Sequence, residues 1–177
     1  KNRLDLSTYL AGGQQAEDLS FTSIPPQVFA MSHLTELWLS NNTIKIMPVD
    51  IKGLVNLTIL AVDGNQLSAV PNEVGQLSEL QTLILSRNQL SVLPPSFRGL
   101  KKLRELFLDN NEFTVFPDVL GRKFSDYSVS LAALERLSMC NNRLQGSPAI
   151  PAYIRNLKSL EELHLTGNTP DLSLIHI

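Results

Sequence analysis

The chain has one cysteine, Cys140, so no disulfide can form within it. Structural disulfides persist in oxidising compartments, and their exclusion here points to a reducing, cytoplasmic setting. Neither sign of charge dominates: 15 Lys and Arg stand against 17 Asp and Glu, for a formal charge of −2. That balance lacks the basic excess expected of a nucleic-acid binder. No apolar run is long enough to cross a bilayer, and the first residues carry no secretory pattern, so membrane insertion is not expected. The three histidines, His33, His164 and His176, have no metal-ligand spacing, and Gly12-Gly13 is an isolated pair rather than a phosphate-cradling loop. No cofactor, metal or small-molecule substrate is expected.

What is present is a period. Residues 80–94, LQTLILSRNQLSVLP, place leucines at 80, 83, 85 and 90 around Asn88. This fits neither strict alternation nor a helical stripe. Copies begin at Leu34, Leu57, Leu80 and Leu103, each 23 residues after the last, and two more begin at Leu134 and Leu160 after steps of 31 and 26. The asparagine is present every time, at 42, 65, 88, 111, 142 and 168. Around Leu83 and Leu85 the alternation is that of a short strand, with Thr82, Ile84 and Ser86 on the other face. Asn88 turns the chain out of the strand, since its amide both donates and accepts. The asparagines are therefore expected to bond backbone groups of their own and the adjacent turn.

The second half of each unit opens with an apolar residue and proline (Met47-Pro48, Val70-Pro71, Leu93-Pro94, Phe116-Pro117), then an apolar residue three later. Proline forbids a continuous helix before it, so a short helical or extended return arm is expected. Lys1 to Met31 reads as an imperfect leading repeat, residues 1–33, with strand leucines Leu4 and Leu6 and an insertion over 8–17. Further insertions fall within 121–130 and near 145–147, on loops, because a strand that slips by one residue exposes its apolar face. Residues 172–177, LSLIHI, resemble the translation of a transposon end used to tag sequencing libraries; they are expected to be non-native and carry no functional weight. Residues 1–171 are thus expected to form one domain.

The pattern L-x-x-L-x-L-x-x-N-x-L is the leucine-rich-repeat signature. Units of 23 residues over 34–120 resemble the intracellular repeats of Ras-pathway scaffolds, Scribble, Erbin, plant Ras-group proteins and Roco-type GTPases. Residues 144–154 (LQGSPAIPAYI) look more like the repeats of plant receptors. The resemblance implies an α/β solenoid: a right-handed curved coil with a parallel sheet on its concave face and short return arms on the convex side. It fixes the fold more narrowly than the function, because the same repeat accompanies many activities.

On the concave face, the residues beside the strand leucines present Trp38, Ile59, Ile84 and Phe107 to solvent, flanked by Glu36, Asp63, Glu105 and Asp109. Arg87 lies nearby. An aromatic and aliphatic patch with a charged rim is how a protein-binding face looks. These nine residues form the candidate site, the partner is a protein or peptide, and the carboxylates favour a basic one, opposed by Arg87 and Arg104. Cys140 and His164 fall on neighbouring strands, with Cα atoms on the order of 8 Å apart. That is too loose for a nucleophile and base sharing a proton, so no enzyme is expected. The expected function is protein interaction in intracellular signalling or scaffolding. The alternative is the sensing arm of a larger enzyme such as a kinase, Roco-type GTPase or ubiquitin ligase.

Overall fold

Seven three-residue strands form one parallel sheet in chain order: β1 (Arg3–Asp5), β2 (Glu36–Trp38), β3 (Ile59–Ala61), β4 (Thr82–Ile84), β5 (Glu105–Phe107), β6 (Arg136–Ser138) and β7 (Glu162–His164). They come from a computed structural model that describes residues 2–8, 20–121, 129–145 and 150–168. The insertions expected over 8–17, 121–130 and near 145–147 fall largely outside the described residues, and 172–177 wholly so. The middle residues pair in register as Leu4, Leu37, Leu60, Leu83, Leu106, Leu137 and Leu163, one unbroken interior row. A lone three-residue strand has too little to bury. Stacked, Leu37, Leu60, Leu83, Leu106 and Leu137 are all 0% exposed, and each buried leucine is worth roughly 1.5–3 kcal/mol over leaving it in water.

Five of the return arms are single 3-10 turns, at Pro26–Ala30, Val49–Gly53, Asn72–Gln76, Pro95–Gly99 and Ala152–Asn156, while the arm after Pro117 is a plain turn. Each starts directly after a proline held extended, as at Pro71 with φ −70° and ψ 154°. Apolar residues three apart, such as Ile51 and Leu54 or Phe97 and Leu100, suit this helix, in which i and i+3 lie on one side; all four are fully buried. The turns pack so closely that a Cβ added at Gly75 would stand 2.2 Å from the Ser96 carbonyl oxygen. Only glycine lets those two arms approach.

The asparagines bind the coils to one another. The Asn88 amide nitrogen donates to Leu85 O in its own unit and to Val62 O in the preceding one, both at 3.0 Å. Its oxygen accepts the Leu67 N–H at 2.9 Å. Asn65 and Asn111 repeat the arrangement, so Val62 O receives both Asn65 and Asn88, and Leu85 O both Asn88 and Asn111. Asn42, Asn142 and Asn168 extend it to both ends. The two lone pairs of each shared carbonyl are thus filled by amides of successive units, leaving the turn satisfied inside the core.

Candidate functional site

Strand residues that alternate with the buried leucines form the open face of the sheet, which is the concave face expected from the sequence. Its central row runs Asp5, Trp38, Ala61, Ile84, Phe107, Ser138 and His164. Beside it lie Arg3, Glu36, Ile59, Thr82, Glu105, Arg136 and Glu162. The alternation continues past the strands to Ser40, Asp63, Ser86, Asp109, Cys140 and Thr166. Seven strands at ~4.8 Å give a face about 29 Å long. All nine residues named from the sequence border this face, with Arg87 reaching it from the turn after β4.

The apolar residues do not stand clear of it. Trp38, Ile59, Ile84 and Phe107 are each half-buried, and Ala61 is 0% exposed. Strands this close make large side chains lean on one another across the sheet. Trp38 is fixed further. Its Nε1 donates to Glu36 Oε2 at 3.1 Å, and the Arg3 guanidinium lies 4.9 Å from its ring centroid. Arg3 also pairs with Asp5 at 3.0 Å and with Glu36 at 3.8 Å. A ring held this way has little rotamer freedom left to lose on binding.

Most of the carboxylates are engaged. Asp63 accepts the Ser40 hydroxyl at 2.5 Å and Arg87 Nη2 at 2.6 Å, and Arg87 also donates to Asn41 Oδ1. Glu105 takes Thr82 and Arg136 Nη1, while Arg136 forks onto Glu162 at 2.7 and 2.9 Å. The hydrogen bonds from Arg136 and then from His164 hold the Glu162 carboxyl down to about 2. Asp109 differs. Its Oδ1 accepts Ser138 Oγ at 2.5 Å and the Cys140 N–H at 2.6 Å, but no cation among the described residues lies within ion-pairing distance. Cys140 Sγ lies 3.7 Å from Ser138 Oγ and His164 Nε2 lies 3.2 Å from Glu162, so the two are committed to different neighbours. Among the described residues, no three His, Cys, Asp or Glu gather in a way that could hold a metal ion.

Three features escaped the sequence reading. Arg3 and Arg136 organise the face, yet only strand register reveals their reach. The residue before each ladder asparagine has positive φ: Asn41, Gly64, Arg87, Asn110, Asn141 and Gly167. Asn or Gly fills five of these six positions, a signal that was available in the repeat. Finally, the most exposed large apolar residues lie elsewhere, on the flank between turn and return arm: Ile46 at 75%, Val92 at 63% and Val115 at 62%. Val92 and Val115 line a groove of about 400 Å³ with Leu93, Phe116, Pro117 and Val119.

The family model described as Leucine rich repeat matches residues 18–67 and 55–113, over half of the chain. This chain belongs to the leucine-rich-repeat family. No curated protein matches it. Among solved structures, this leucine-rich-repeat chain is similar to the protein LIC12759 of Leptospira interrogans, itself described as a leucine-rich-repeat protein. The two share 32% identity with a TM-score of 0.73, over 86% of this chain and 36% of that one. It is also similar to the internalin InlF of Listeria monocytogenes (26% identity, TM-score 0.65, 81% and 38% of the two chains). A third similar structure is the plant peptide hormone receptor RGFR1 in complex with RGF2 (27%, 0.60, 82% and 26%). The chain spans about a third of the length of these structures. Leucine-rich repeats typically bind proteins or peptides and are typically non-enzymatic. No helix among the described residues is long and apolar enough to cross a membrane.

Proposed function

We propose that this chain is a protein-interaction module that takes a protein or peptide on the open face of its sheet, through Glu36, Trp38, Ile59, Asp63, Ile84, Arg87, Glu105, Phe107 and Asp109. The observation that carries this reading is the gathering of Trp38, Ile59, Ile84 and Phe107 on four successive strands, with Trp38 held in place and carboxylates along the rim. Preformed aromatic anchors inside a polar rim are the usual anatomy of a binding hot spot. A plant peptide hormone receptor with a similar fold supports it. A face about 29 Å long and on the order of 12 Å wide suits a peptide or part of a larger contact, below the ~800 Å² per partner of a standard interface. We further place the module in the cytoplasm, as a scaffold of the intracellular 23-residue kind that binds without turnover. The lone Cys140 and the spacing of the units from Leu34 to Leu103 support that placement. The alternative, a recognition arm of a larger enzyme, would use the same face and differ in what it is joined to.

Trp38→Ala with Phe107→Ala is expected to keep a cooperative melt but abolish capture of partners in a pull-down. The flank variant Ile46→Ser with Val92→Ser is expected to capture normally. The reverse result would move the binding surface from the sheet to the flank.

A further inference from the structure

Among the described residues, the open face carries six carboxylates, Asp5, Glu36, Asp63, Glu105, Asp109 and Glu162, against three guanidiniums, Arg3, Arg87 and Arg136. Each guanidinium is already taken: Arg3 by Asp5 and Glu36, Arg87 by Asp63, Arg136 by Glu105 and Glu162. The charge left over is negative: two carboxylates share Arg3, two share Arg136, and Asp109 has no guanidinium among the described residues. Asp109 keeps both its hydrogen-bond donors on Oδ1, while its Oδ2 meets no donor among the described residues. The next side chain on the same face of the strand is Phe107, about 6.6 Å away along the backbone.

The molecule shows what an aromatic ring beside a carboxylate attracts on this face. At the other end of the apolar patch, Arg3 lies over the Trp38 ring and reaches Glu36 and Asp5. A guanidinium there gains from the ring's negative face and from the carboxylates together. Phe107 with Asp109 repeats the combination, yet no arginine among the described residues supplies the cation at Asp109. Arg136, on the neighbouring strand, stands opposite Glu105, four residues before Asp109, and binds Glu105 and Glu162.

We propose that the partner on this face is a basic polypeptide segment. One Arg or Lys lies along Phe107 with its charge on Asp109 Oδ2, and adjoining apolar side chains rest against Ile84 and Ile59. This rests on the open face being the binding surface, and the test separates the two ideas. Random dodecapeptides displayed on phage are selected on the 177-residue chain, and the binders are synthesised for affinity measurement. Enrichment of Arg or Lys beside an apolar residue is expected. Asp109→Asn, which preserves both Oδ1 hydrogen bonds, is expected to weaken binding about tenfold. That loss should shrink as salt is raised. Should Asp109→Asn melt early, replacing the peptide's basic residue by norleucine removes the same charge from the other side. Binders that need Trp38 and Phe107 but lack basic residues, or that ignore both charge removals, overturn the basic-segment proposal and leave the binding face standing. Binders indifferent to Trp38→Ala with Phe107→Ala, or no binders at all, overturn both.

Discussion

The two faces of the sheet are built from the same three-residue strands and obey different rules. On the inside, Leu37, Leu60, Leu83, Leu106 and Leu137 are the same residue at the same depth in five successive units. On the outside, the central row changes at every step, from Trp38 through Ala61, Ile84 and Phe107 to Ser138 and His164. Stability is therefore spread along the stack by repetition, since each coil contacts only its neighbours. Recognition, as proposed, belongs to the particular place where the large side chains fall together.

If that division holds, substitutions inside should cost stability in proportion to how completely a coil is enclosed. Leu83→Ala is expected to lower unfolding free energy by roughly 2–5 kcal/mol through the cavity it leaves, measured by chemical denaturation. Leu163→Ala should cost clearly less, because Leu163 is only half-buried where Leu83 is fully enclosed. Equal costs would mean that stacking on both sides is not the source of the stability. Next in size is Asn88→Ala, at about 1–3 kcal/mol. Its shared carbonyls Val62 O and Leu85 O keep the Asn65 and Asn111 amides, but the buried Leu67 N–H loses its partner. Smallest is Arg87→Asn on the outer rim. Asparagine tolerates the positive φ of 56° better than arginine does. That gain offsets the loss of an exposed pair with Asp63, so thermal melts should move by no more than about 0.5 kcal/mol equivalent.

Much of this was legible beforehand because it repeats. The spacing of leucines announced the interior row, the asparagines announced the ladder, and apolar residues every third position after proline announced a short arm. The sequence did not specify that this arm would be a 3-10 turn, although the i, i+3 spacing of Ile51 and Leu54 agrees with one. The open face of the sheet was legible in membership and misjudged in exposure. Which residues point outward follows from alternation along a strand, but how far they project depends on the side chains of the strands to either side. Trp38 leans under Arg3, which is 35 positions away in the chain. The flank was missed for the same reason: Ile46 and Val92 precede buried residues and resemble them in type, and only the path of the neighbouring coils leaves them in water.

By itself, then, the amino-acid order determined the period, the line of leucines and the polar ladder, because each is a local pattern repeated in register. Only the assembled coils decided which carboxylates share a guanidinium and which have none among the described residues. Arg3, Arg87 and Arg136 each select their carboxylates from an adjoining strand or turn, a choice set by strand-to-strand distances of a few ångströms rather than by spacing along the chain. Among the described residues Asp109 has no cation, and the arginine on the next strand stands opposite Glu105 and binds Glu105 and Glu162.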